Sequence, residues 1–131
     1  MKIHHVGIAV KSLGAAVPLF ERLLGRAPDP ENVIKEQKVR VATFNLGQAR
    51  IELLEPTAAD SPLALFLGKR GEGVHHVALA VPDLPRVLAE LEQAGVRLID
   101  REPGTGAGKE RMAFLHPAST AGVLIELVEE K

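Results

Sequence analysis

Two histidines and two glutamates recur at matching places in this sequence of 131 residues, His5 with His76 and Glu52 with Glu126. Residues 4 to 10 read HHVGIAV and residues 75 to 81 read HHVALAV, identical at five of seven positions with an offset of 71. The glutamates follow isoleucine in Ile51-Glu52-Leu53-Leu54-Glu55 and Ile125-Glu126-Leu127-Val128-Glu129, an offset of 74. Two imidazoles and two carboxylates form a donor set that first-row divalent metals accept, with coordination positions left for oxygen ligands from substrate or water. A lone strand histidine is ordinarily structural or solvent-facing. Recurrence of both residue types in two copies favours a metal over that reading.

In a strand, neighbouring side chains point to opposite faces. His4, Val6, Ile8 and Val10 therefore share one side, expected beneath a helix, while His5, Gly7 and Ala9 share the other. In the second copy His75, Val77, Leu79 and Val81 are expected against the core, and His76, Ala78 and Ala80 on the face that has room. Ile51 with Leu53, and Ile125 with Leu127, mark the bulky face of the closing strands, so Glu52 and Glu126 project from the opposite one. An approximate two-fold relation between the copies would bring all four polar side chains to one point. Enclosed there, they must be paired, hydrogen-bonded or bound to a cation. His4 and His75 are read as structural, and Glu52 is the ligand most sensitive to a shift of register.

The elements that position these residues repeat as well. After each HHV strand comes a helix-like stretch, Ser12 to Leu24 and Asp83 to Ala94, opened by a capping residue and followed by Gly25 or Gly95. Val39 to Leu46 and Glu110 to Leu115 read as strands, each preceded by a weaker one, and Ser61 to Arg70 as a helical connection. The expected fold class is α+β: two tandem βαβββ modules forming curved sheets around a metal-containing cleft. A single domain over 1–131 is expected, with module 1 over about 1–60, the connecting helix over about 61–71 and module 2 over about 72–131.

Composition narrows the function. A formal net charge of -1 provides no basic excess for tracking phosphates, so no nucleic-acid partner is expected. There is no cysteine, which excludes thiolate chemistry and leaves nitrogen and oxygen as metal donors. No run approaches the roughly 20 apolar residues of a membrane span, and the start Met1-Lys2-Ile3-His4 reads as a strand rather than a signal peptide. A cytoplasmic protein without a membrane partner is the expectation. Tyr and Trp are absent, which argues against extensive stacking on a substrate ring.

Along essentially the whole chain, the duplicated unit opened by HHV and closed by an IEL-type strand resembles the vicinal oxygen chelate superfamily. The resemblance implies paired modules around one divalent ion (cobalt, manganese, zinc, nickel or iron), with His5, Glu52, His76 and Glu126 as ligands. Three segments are similar to the methylmalonyl-CoA epimerases of that superfamily: Ser61-Pro62-Leu63 through Phe66-Leu67-Gly68-Lys69 into Gly73-Val74-His75-His76, then Phe114-Leu115-His116-Pro117, then Gly122-Val123-Leu124-Ile125-Glu126-Leu127. Glu36, within Lys35-Glu36-Gln37-Lys38-Val39, matches a glutamate of that family, although by habit a glutamate between lysines is a solvated surface group.

The resemblance implies epimerisation of methylmalonyl-CoA through an enolate, with Glu36 and Glu126 as the catalytic proton-transfer groups, and a homodimer. A carboxylate bound to a cation is a weaker base than a free one, so Glu126 carries two competing roles. Lys38, Arg40, Lys69, Arg70, Lys109 and Arg111 are available to the coenzyme A phosphates, and Gly104 to Lys109 reads as a turn or substrate-covering loop. Lactoylglutathione lyase is the alternative with the same ligands, but Phe20-Glu21 replaces the Phe-Tyr pair common in its first helix. A drug- or metabolite-binding protein of this fold is the non-enzymatic alternative.

Overall fold

The computed structural model describes residues 1–130. The elements run β1 (Lys2–Ala9), α1 (Leu13–Leu24), β2 (Asn32–Ile34), β3 (Val39–Asn45), β4 (Arg50–Pro56), α2 (Pro62–Arg70), β5 (Gly73–Val81), α3 (Leu84–Gln93), β6 (Gly104–Thr105), β7 (Arg111–Leu115) and β8 (Ile125–Glu129), with a 3-10 turn at Pro117–Ser119. This is strand, helix and three strands, twice, with α2 as the intervening helix. The strands expected to be weak are the shortest, β2 with three residues and β6 with two.

The chain divides into two compact units, His5–His75 and Met1–His4 with His76 onward, so the division falls inside β1 and β5. Within the first unit the strand order is β2-β3-β4-β1, with β2–β3 and β3–β4 antiparallel and β4–β1 parallel. The second repeats this as β6-β7-β8-β5, with the same pattern of directions. Register is repeated too: Gly7 pairs with Glu52 and Ala78 with Glu126. Parallel neighbours need a long crossover, which α1 with β2 and β3 supplies in one copy and α3 with β6 and β7 in the other.

Each helix buries one stripe on its own sheet. Leu13, Ala16, Val17, Phe20 and Leu24 recur at helical spacing and pack on Ile8, Val10, Ala42, Phe44, Ile51 and Leu53. Leu84, Val87, Leu88 and Leu91 do the same against Leu79, Val81, Ala113, Leu115, Ile125 and Leu127. Ser12 Oγ caps α1 by accepting from Ala15 N at 3.3 Å, and Asp83 Oδ1 caps α3 by accepting from Arg86 N at 3.3 Å. Gly25 closes α1 with φ 71, a left-handed conformation that glycine adopts without a Cβ penalty.

A second device ties helix to strand. Glu55 Oε2 accepts from Leu13 N at 3.2 Å, and Glu129 Oε2 accepts from Leu84 N at 3.0 Å. These glutamates stand three residues beyond Glu52 and Glu126, an odd step that turns them to the helix face. There each carboxylate meets the positive end of a helix. Arg111 fastens Glu129 at two points, Nε to Oε1 at 2.9 Å and Nη2 to Oε2 at 2.8 Å. Replacing Glu129 by alanine removes an acceptor from both Leu84 N–H and Arg111, and is expected to cost about 2 kcal/mol of stability. Glu90→Ala, at an exposed pair with Arg86, is expected to cost less than about 0.5 kcal/mol. Urea unfolding midpoints of the two variants check this contrast, and equal midpoints would refute it.

Candidate metal centre

His5 on β1 and Glu52 on the parallel neighbour β4 point to the same side, with Nε2 and Oε1 3.4 Å apart. In the other unit, His76 on β5 and Glu126 on β8 repeat the arrangement at 3.0 Å. All four side chains lie opposite the helix-facing rows, as strand parity requires. They are enclosed: His5 is 3% exposed, and Glu52, His76 and Glu126 are 5% exposed. Ala9 and Ala78 are fully buried, whereas Val6, Ile8, Val77 and Leu79 beneath the helices are half-buried.

His5 with Glu52 in one unit, and His76 with Glu126 in the other, are each a couple of donors that a metal ion accepts. Donors about 2.1 Å from a shared ion are separated by about 3.0 Å at a right angle and about 3.4 Å at a tetrahedral angle. Both His–Glu separations match that spacing. The donor chemistry of each couple fits as well, because an imidazole and a carboxylate are ligands of divalent cations and a buried setting penalises a charge left unpaired.

His4 and His75 take structural positions. His4 is buried with Nε2 3.9 Å from Glu130 Oε2, and His75 meets Phe66 edge-on with centroids 4.9 Å apart. Glu36 is not a member of the buried group. It lies on an exposed turn at 35–38 between β2 and β3. Among the cations considered for coenzyme A, Arg111 is engaged by Glu129, Lys38 by Asp60, and Arg70 lies 5.7 Å from the centre of the Phe66 ring. Phe114 was absent from the expected site, yet its ring stands perpendicular to His76 with centroids 5.6 Å apart. Its even spacing from Met112, combined with the pairing of β7 to β8, is the signal that places it on the ligand face.

The model of the Glyoxalase/Bleomycin resistance protein/Dioxygenase superfamily matches residues 4–114. The chain belongs to that superfamily. Among other members, the uncharacterized protein YqjC of Bacillus subtilis is 45% identical over 99% of this chain and 93% of its own length. The mitochondrial methylmalonyl-CoA epimerase of Bos taurus is 35% identical, covering 96% of this chain and 73% of that protein. A variant of the Streptomyces coelicolor methylmalonyl-CoA epimerase, solved in complex with 2-nitronate-propionyl-CoA, superposes with TM-score 0.94 at 38% identity, over 99% of this chain and 94% of that one. These likenesses support the fold expected from the duplicated modules. Among the described residues of this superfamily member, no helix is long and apolar enough to cross a membrane.

The turn that carries Glu36 is fastened from both sides. Gln37 N donates to Ile34 O and Lys38 N to Lys35 O, each at 3.2 Å, and Thr57 N donates to Lys38 O at 2.9 Å. Lys38 itself takes a left-handed conformation, φ 55, and its ammonium meets the Asp60 carboxylate. The hydrogen bond from Lys38, then its charge, holds the Asp60 carboxyl below its ordinary value of 3.8. Because the folded state favours the ionised form, this contact helps the fold above that ordinary value and is lost as pH falls through the lowered one. In Lys38→Met the Asp60 midpoint is expected to rise back toward 3.8. Carboxyl titration by NMR reads this, and an unmoved midpoint would dissociate Lys38 from Asp60.

Proposed function

We propose that this chain epimerises methylmalonyl-CoA, with His5, Glu52, His76 and Glu126 as ligands of a divalent cation and Glu36 and Glu126 as proton-transfer groups. The observation that carries the reading is the pair of buried His–Glu couples at repeated strand positions, 3.4 Å and 3.0 Å across. Relatives named as methylmalonyl-CoA epimerases over nearly the full chain support it. Lactoylglutathione lyase and non-enzymatic binding are not favoured by those relatives. The reading takes 1–131 as one catalytic domain of a cytoplasmic homodimer and leaves cobalt, manganese, zinc, nickel and iron as candidate ions.

The carbon to be inverted lies between a thioester and a carboxylate, so losing its proton gives a delocalised enolate. A divalent cation, when bound, supplies Lewis-acid stabilisation of the developing negative charge. His5, Glu52 and His76 hold that cation in a buried, low-dielectric setting where electrostatic contacts are strong. Glu126 and Glu36 serve opposite faces of the carbon, one removing the proton and the other returning one, with the roles exchanged for the other epimer. Glu126 has two oxygens, which allows a ligand role at one and proton transfer at the other. Glu36, on its exposed turn, exchanges its proton with bulk water and so imports solvent hydrogen.

Metal-reconstituted protein given one epimer of methylmalonyl-CoA in deuterated water is expected to invert it and place deuterium at the α-carbon, and a chelated sample is expected to do neither. Glu36→Gln should lower turnover at least about 100-fold while keeping metal affinity. His76→Ala should weaken metal binding as well as turnover. Absence of inversion and exchange with metal demonstrably bound would overturn the epimerase reading.

A further inference from the structure

The two copies match in strand order, register, helix packing and His–Glu pairing, yet differ beside the carboxylates. Across β3–β4 the residue opposite Glu52 is Thr43, and across β7–β8 the residue opposite Glu126 is Phe114. The ring of Phe114 stands at 90° to the imidazole of His76, with centroids 5.6 Å apart. The His–Glu couple beside the aromatic ring is also the closer one, 3.0 Å against 3.4 Å.

Phe114 is itself held firmly. Its N–H donates to Asp100 Oδ2 at 2.8 Å, and its carbonyl accepts from Ile99 N at 3.0 Å and Asp100 N at 3.2 Å. The side chain packs on Ala78, Met112 and Val128, which are 0%, 3% and 1% exposed. A ring set by backbone and packing in this way does not swing freely. An imidazole aims Nε2 correctly only when rotation about its Cβ–Cγ bond is limited, and a perpendicular aromatic neighbour favours one orientation.

We infer that Phe114 is a positioning residue, which holds the His76 imidazole in the orientation that metal binding requires. The inference rests on the metal reading above and extends it to a residue that donates no ligand atom. The counterpart position in the other copy is Thr43, whose side chain carries a hydroxyl and not a ring.

Cobalt(II) titration in competition with a chelator, together with the visible spectrum of the bound ion, tests this without reference to turnover. Phe114→Leu keeps an apolar side chain on the strand but loses the ring. It is expected to fold by circular dichroism, bind cobalt about tenfold more weakly and give an altered visible band. Phe114→Tyr restores the ring and should restore both readouts, while Thr43→Val should leave both as in the parent. Should Phe114→Leu fail to fold, Phe114→Met carries the same comparison. Parental affinity and spectrum in a folded ringless variant would overturn the positioning role alone. A parent protein that binds no cobalt would overturn the metal reading and this inference with it.

Discussion

Burial of four ionisable side chains on the strand faces turned away from the helices is the constraint on which the molecule turns. Histidine and glutamate are seldom this enclosed without a partner, because desolvation of a charge costs far more than hydrophobic packing around it returns. Here each histidine has a glutamate within 3.4 Å on the neighbouring parallel strand. That proximity exists because β1 pairs with β4, and β5 with β8, in the same register. The helices then have one task in each copy: covering the opposite face so that the strands keep that register.

The division of labour along the closing strands follows from the period of two. In β4, Glu52 faces the polar group while Leu53 joins the helix-covered core and Glu55 reaches the first amide of α1. In β8, Glu126, Leu127 and Glu129 repeat those three destinations. A single short strand therefore carries a polar group of the site, a core contact and a helix anchor. A register slip of one residue would exchange the polar and apolar faces, leaving both a buried charge and an exposed core residue. Selection of register is correspondingly strong.

Strand alternation explains why so much of the arrangement is legible in the sequence. The repeated HHV and IEL strings establish which residues correspond, and parity separates His5 and His76 from His4 and His75. Glu52, the residue most exposed to error, depends on a register that letters alone do not specify; its pairing with Gly7 matches that of Glu126 with Ala78. Enclosure is legible as well, since four polar groups on faces carrying Gly7, Ala9, Ala78 and Ala80 read as enclosed, and all four are buried. The perpendicular contact of Phe114 with His76 was hidden, because it joins strands that are not consecutive in the chain. The surface character of Glu36 was legible from its lysine neighbours, and its turn is exposed.

The two anchoring glutamates give each copy its own means of fixing its helix. Each copy possesses its own helix, its own carboxylate tether and its own apolar stripe, but contributes only one imidazole–carboxylate couple. The devices that hold a module together are thus present twice, once in each copy. The copies nonetheless differ beside their carboxylates, with the hydroxyl of Thr43 in one at the place that the ring of Phe114 takes in the other.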